Sequence, residues 1–273
     1  PMLPEVLSNN ICSLKPNVDR LAYSVIFEMN EKANLIDYKI KKTVIHSDVR
    51  FTYKTAQDVI DNKKGNLTTE LLLLDRLSKI LRKRRQENGS INFESTEVKF
   101  ILDKNNNPID VYFKESLSTN HLIEEFMLLA NKTVAKHIGF PKNKAKTFVY
   151  RVHDIPDNDR IATLNNIVKK FGHIIDNTAT NKLSSSLNRL LKNVKGKKEQ
   201  QMVETLTIRS MAKAVYTTNN IGHYGLAFDY YSHFTSPIRR YPDLIVHRLL
   251  EQYINNDRPI NNEVLEKICN HCS

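Results

Sequence analysis

The stretch Tyr231–Arg248, YSHFTSPIRRYPDLIVHR, restricts the possible folds of this chain more than any other. It begins in loop chemistry and runs into a helix. Ser236-Pro237 is a helix-start signal: a hydroxyl caps the first orphan N–H groups, and proline at the first helical position gives up no hydrogen bond. That start puts Arg239 and Arg240 in the first turn, where backbone N–H groups and the positive end of the helix dipole favour an anion. On a helical wheel Arg239, Arg240, Asp243 and His247 make one polar stripe. Ile238, Tyr241, Leu244, Ile245, Val246, Leu249 and Leu250 fill most of the remainder. A helix apolar on most sides is buried, so other elements must wrap it. A buried arginine needs a partner. Two readings stay open here: an internal ion pair of Arg239 with Asp243, or an anion site for phosphate or carboxylate at the helix start.

The chain has 273 residues, enough for one large domain or two small ones with a sizeable core. Its net charge of +11 points to a polyanionic partner, nucleic acid before an acidic membrane. A basic, merely solvated surface is the plainer explanation. No apolar run approaches the ~20 residues that cross a bilayer, and PMLPEVLSNN lacks the basic region and long apolar run of a signal peptide. A cytoplasmic location with no membrane partner is the expectation. Three cysteines do not make a disulfide framework. Cys269-x-x-Cys272, with His271 between, lacks the second ligand pair that zinc needs.

Periodicity divides the chain into a mixed α/β pattern. Arg20–Phe27 and Asn34–Ile45 read as a strand hairpin turning over Glu28–Ala33. Thr52 and Tyr53 precede a short helix with apolar Ala56, Val59 and Ile60. Thr68–Gln86 is a strong helix ending in Arg82, Lys83, Arg84 and Arg85; the dipole accounts for part of that cluster, and phosphate contact is the alternative for the rest. INFESTEVKFIL and IDVYFKE read as strands around the loop DKNNNPI. Ser118–His137 is a second strong helix, with a core stripe of Leu122, Ile123, Phe126, Met127 and Ala130. Glu124 and Asn131, seven apart, share a face off the centre of that stripe and read as solvated. FVYRVH is a strand. Ile161–Phe171, Lys182–Asn193 and Glu199–Ala212 are helices. YTTNNIGHYGLAFDYY is glycine-broken extended chain. Asp257-Arg258-Pro259 closes the opening helix, and a last helix begins near Asn261.

Two acidic groups are candidate metal sites and neither convinces. Asp103, Asn105 and Asn107 imitate the start of a calcium loop, but Pro108 sits where glycine is required and Lys114 where the bidentate carboxylate belongs. Asp154, Asp157 and Asp159 lie in a turn where aspartate is common for conformational reasons.

Taken together, HFTSPIRRYPDLIVHR, LSNNICSLKPNVDRLAYS, SDVRFTY, INFESTEVKF, IEEFMLLAN, YRVHDIPD, IRSMAKAVY and IGHYGLA resemble, in order, segments of the RNB family of ribonucleases II and R, most of all its ribonuclease R branch. The resemblance covers essentially residues 1–273. It implies part of an RNB-type catalytic domain, with a twisted sheet packed by several helices around a basic RNA channel. It further implies a Mg²⁺-dependent hydrolase that releases 5′-monophosphates one at a time from the 3′ end of single-stranded RNA. By the same resemblance Arg239, with Ser236 beside it, grips the scissile phosphate. Tyr53 and Glu124 recognise ribose, and Phe93 stacks on a terminal base. A carboxylate that accepts from a 2′-OH distinguishes RNA from DNA, and stacking tolerates any base. One departure stands out. The family's metal-holding aspartates, spaced D-x-x-x-x-x-D-x-D-D, lie upstream of the PMLP segment, where this sequence starts, and nothing in it replaces them. Flanking RNA-binding modules, cold-shock-like ones included, are absent too. The expectation is an exoribonuclease portion inactive by itself; the alternatives are a non-catalytic RNA-binding module from a degenerate RNB homologue, or an unrelated basic protein.

Overall fold

The computed structural model describes residues 2–93, 97–114, 116–140, 145–176, 178, 180–255 and 260–273. β1 (Asp19–Met29) and β2 (Leu35–His46) form the expected antiparallel hairpin, in register from Asp19 opposite His46 to Glu28 opposite Asp37. Its turn is held by the Asn30 side-chain oxygen, which accepts from the N–H groups of Lys32 (3.0 Å) and Asn34 (2.9 Å). α1 (Tyr53–Asn62) starts on Thr52, whose hydroxyl accepts from the Thr55 N–H while the Thr55 hydroxyl accepts from the Thr52 N–H. This reciprocal cap satisfies two orphan donors. α2 (Thr68–Glu87), α3 (Ser118–Gly139), α4 (Asn158–Lys169), α5 (Thr180–Val194), α6 (Gln200–Ser210), α7 (Tyr241–Ile254) and α8 (Asn262–His271) follow, and the Asp157 carboxylate caps α4. No described helix is long and apolar enough to cross a membrane.

The mixed α/β class is as expected, and the sheet takes the form of small ribbons. Among the described residues β3 (Glu97–Leu102) pairs only with β4 (Pro108–Lys114), and β5 (Tyr150–Val152) only with β6 (Val215–Thr217). The strand expected across INFESTEVKFIL is shorter than its apolar pattern: Ile91–Phe93 is irregular, and residues 94–96 fall outside the described residues, as does Asp257-Arg258-Pro259. At the DKNNNPI loop the Asp103 carboxylate accepts from the N–H groups of Asn105 and Asn107, both at 2.8 Å, so it shapes a turn.

Two apolar clusters carry the fold. One gathers Val134, Ala135 and Ile138 of α3, Tyr150 and Val152 of β5, Phe234, and the Val246–Leu249–Leu250 face of α7, closed by Leu265 and Cys269 of α8. Burying each of these large side chains contributes about 1.5–3 kcal/mol. The C-terminal cysteine pair is explained by this burial: Cys269 is a packed thiol pushed up to about 12 by desolvation. The second cluster joins α4, α5 and α6 around Ile161, Leu164, Leu187 and Val203. Of the stripe expected on α3, Leu122 and Ala130 are buried and Phe126 and Met127 half-buried, whereas Ile123 is exposed and Leu128 and Val134 go in as well. Four of its polar residues, Thr119, Glu125, Asn131 and Thr133, are buried too.

Candidate functional site

α7 begins at Tyr241, not at Ser236-Pro237, and its early proline is Pro242. The reason is local. The Ser236 carbonyl accepts from both Arg239 (3.3 Å) and Arg240 (3.1 Å), closing a separate turn, while the Ser236 N–H donates to Asp243 Oδ1 at 2.7 Å. Arg239 therefore lies on a turn ahead of the helix instead of in its first turn. Arg240 becomes the residue that flanks the helix, and it takes the internal ion pair. Its Nε and Nη2 donate to the two Asp243 oxygens at 2.8 and 2.9 Å, and Asp243 is fully buried. The pairing of Arg239 with Asp243 is thus corrected to Arg240. The Arg239 side chain is exposed; its one polar contact among the described residues is a long 3.5 Å approach to Ser236 Oγ.

The loop that carries Arg239 is fastened at nearly every residue. The Tyr231 carbonyl accepts from the Arg151 N–H at 3.0 Å. The Ser232 hydroxyl donates to the Val149 carbonyl at 2.6 Å, and His233 Nδ1 meets the Tyr216 hydroxyl at 2.7 Å. The Phe234 N–H donates to Asn131 Oδ1 at 2.9 Å, its carbonyl meets His247 Nε2 at 2.8 Å, and the two rings stack at 4.4 Å. Asn131 Nδ2 also reaches the Tyr231 hydroxyl at 3.3 Å. Asn131 is therefore a buried clamp and not the solvated residue expected of its position. Such anchoring holds a charged group in place without further ordering when a ligand arrives.

α3 is the rail along which three of the four candidate residues are set. At its start the Thr119 hydroxyl donates to the Tyr53 carbonyl (2.9 Å), and Gln57 Oε1 accepts from Ser118 Oγ and from the Thr119 N–H. This docks α1 with the Tyr53 side chain exposed at its first position. At Asn131 the rail holds the Arg239 loop, about 18 Å from Thr119 by helix rise. Between them lie two adjacent glutamates with different surroundings. Glu125, with a side chain 3% exposed, takes the Nε and Nη2 groups of Arg85. Glu124, 47% exposed, has only peripheral contacts with Arg85 (3.4 Å) and His121 (3.3 Å), and keeps an open face. Phe93 is set apart from α3. It is half-buried against the second cluster, on a segment fixed by Ile91 N–H to the Gly225 carbonyl (2.9 Å) and Asn92 N–H to Asn188 Oδ1 (3.0 Å). Apart from the long Arg239–Ser236 approach, the side chains of Tyr53, Phe93, Glu124, Ser236 and Arg239 do not bond to one another among the described residues.

The basic run at the end of α2 is largely structural. Arg84 donates to the Lys32 and Ala33 carbonyls and to Asn34 Oδ1, pinning the hairpin turn, while Arg85 is consumed by Glu125. Behind the Arg239 loop, His223 and His233 are pushed down to about 3, mainly by burial and then by cationic or imidazole neighbours. They act as neutral packing and hydrogen-bonding groups. The sequence does carry a signal for Asn131 and Glu125: each has apolar residues three or four positions away on both sides, which places it on the inward face of α3.

The donors for a divalent metal do not fit. Among the described residues no three His, Cys, Asp or Glu side chains are grouped to hold one. In the acidic turn Asp157 is occupied as a helix cap and Asp154 accepts from the Ile155 N–H.

Comparison with known proteins matches the RNB domain family model to residues 1–256. Ribonuclease R of Aquifex aeolicus is 39% identical over 287 residues, covering 100% of this chain and 39% of that protein. Ribonuclease R of Thermotoga maritima is 40% identical over 295 residues, covering 100% of this chain and 40% of that protein. Mycoplasma genitalium RNase R, solved in complex with ribose-methylated single-stranded RNA, superposes with a TM-score of 0.87 at 30% identity, over 99% of this chain and 44% of that one. The chain thus spans about two fifths of the length of these relatives.

Proposed function

The chain belongs to the RNB domain family, and we propose that the protein it comes from hydrolyses single-stranded RNA from its 3′ end, one 5′-monophosphate at a time. Residues 1–273 form one portion of the catalytic domain in this reading, and a basic channel leads the strand inward. The observation that carries it is Arg239: an exposed guanidinium without a carboxylate partner among the described residues, on a loop locked by Asn131, Asp243, His247 and Tyr216. A cation so placed is suited to hold a phosphate and to offset charge that builds on its oxygens during cleavage. Ser236 beside it shapes the turn and faces the same anion.

The other roles follow from exposure and chemistry. Tyr53 offers an exposed hydroxyl at the start of α1. Glu124, not Glu125, has the free carboxylate face, so it accepts from a ribose 2′-OH and selects against DNA. Phe93 presents the unburied side of its ring to a terminal base. A divalent metal, Mg²⁺ in this reading, would activate water and stabilise the leaving oxygen. Among the described residues no group of carboxylate ligands for it is found. A cytoplasmic location accords with an RNA substrate.

The test is product analysis. With Mg²⁺, the intact protein is expected to shorten a 5′-labelled single-stranded RNA in one-nucleotide steps and to leave DNA of the same sequence intact. The 273-residue chain alone is expected to bind that RNA without shortening it. Cleavage of RNA at internal positions, or binding by the intact protein with no cleavage at all, would replace this reading, the second outcome in favour of a non-catalytic RNA-binding module.

A further inference from the structure

A pocket of about 340 Å³ opens between the β1–β2 turn, the end of α2 and the second half of α3. Arg84, Lys132 and Lys136 line it together with the rings of Tyr38, Phe140 and Phe228. Its carboxylate, Glu125, is already bound to Arg85. Among the described residues Arg84 is bonded only to neutral oxygens, those of Lys32, Ala33 and Asn34. The Lys132 ammonium lies 4.8 Å from the Phe228 ring centre, and the Lys136 ammonium 5.5 Å from that of Phe140. Among the described residues neither lysine has a carboxylate within ion-pair distance. Burial first, and Lys136 next, hold the Lys132 ammonium below the usual lysine range; Arg84 adds to this and Asp229 opposes it. Three cations around one cavity repel one another, and an anion between them removes that cost. Ion pairing with phosphate also suits both residue types, arginine as a fork and lysine as a point charge.

We propose that this pocket binds the phosphate group of a nucleotide, with Lys132, Lys136 and Arg84 on the phosphate and the aromatic wall against the sugar or base. Its volume is that of a small-molecule site and exceeds what inorganic phosphate would fill. None of Tyr53, Phe93, Glu124 or Arg239 lines it, so the site does not depend on the exonuclease reading. Two sources share this chemistry: a free nucleoside monophosphate, or one phosphodiester of a bound strand.

Site-resolved acetylation of the intact protein, read by mass spectrometry at Lys132 and Lys136, tests the proposal. AMP is expected to slow modification of both lysines several-fold, inorganic phosphate to slow it less, and Arg239→Ala to leave the protection unchanged. Protection by AMP assigns the free nucleotide; protection by a single-stranded oligonucleotide alone assigns the phosphodiester. No protection by either, or protection that vanishes in Arg239→Ala, overturns the site. Equal protection by inorganic phosphate overturns the nucleotide assignment. RNA shortening measured on the same preparations reports separately on the exonuclease reading.

Discussion

Two adjacent arginines stand in opposite surroundings. Arg240 is a structural ion, paired through two nitrogens with a carboxylate that has no access to water. Arg239 has no such partner among the described residues. The sequence could not separate them, because residues three and four apart are both neighbours on a helix, and Asp243 is three from one and four from the other. The position of the helix start separates them, and that depends on Ser236 bonding to Asp243, a contact without a local sequence signal. Asp243→Ala is accordingly expected to destabilise the fold by about 3–5 kcal/mol, since it leaves a guanidinium and a backbone N–H unpaired; urea unfolding would measure it. Asn131→Ala should cost about 1–3 kcal/mol, because the Phe234 N–H loses its acceptor. If either variant unfolds like the parent, the loop is not held as described.

At the scale of elements, helices were the most legible part of the chain. α2, α3 and α5 each lie within a few residues of the spans that apolar spacing indicates, and the β1–β2 hairpin matches its alternating pattern. Short strands were less legible: FVYRVH contributes only Tyr150–Val152, because its neighbours are bonded to loops and not to a partner strand. The buried face of α3 was misread where polar side chains go inward. Spacing arguments treat a polar residue as solvated, whereas Glu125 and Asn131 are buried with their partners supplied by α2 and by the 231–234 loop. The two glutamates give a direct contrast. Glu125→Gln should lower stability by about 3 kcal/mol, as expected for half of a broken buried pair, and Glu124→Gln should leave thermal unfolding within about 0.5 kcal/mol of the parent. In the proposed function Glu124→Gln instead narrows the preference for RNA over DNA, which competition between the two strands would show.

The whole molecule has a pH response set by its buried imidazoles. In the folded state His223 and His233 stay neutral down to about 3, while in the unfolded chain they take up protons near 6.5. Between those values the unfolded state binds more protons, so stability is full above about pH 6.5 and falls as pH drops toward 3. Each histidine contributes up to about 1.4 kcal/mol per pH unit in that window. Denaturant unfolding at pH 7 and pH 5 is expected to show the loss, and His223→Gln to flatten it; a flat profile in the parent would contradict the burial of these rings. The net charge of +11 acts at the same scale: RNA affinity should fall linearly on a log–log plot against salt. Charge, apolar spacing and the family resemblance were enough to anticipate the class of fold and the residues to inspect. The assignment of each charged side chain to fold or to ligand needed the contacts.

The central claim is that Arg239 serves the RNA and not the fold. The direct measurement is single-turnover shortening of a 5′-labelled RNA by the intact protein and by its Arg239→Ala variant, with thermal unfolding recorded on both. The account predicts a loss of about 10²–10³-fold in the cleavage rate, as for removal of one charge-stabilising group at a reacting centre, with unfolding unchanged. An Arg239→Ala protein that cleaves at the parental rate, or one that loses activity only because it unfolds, would contradict it.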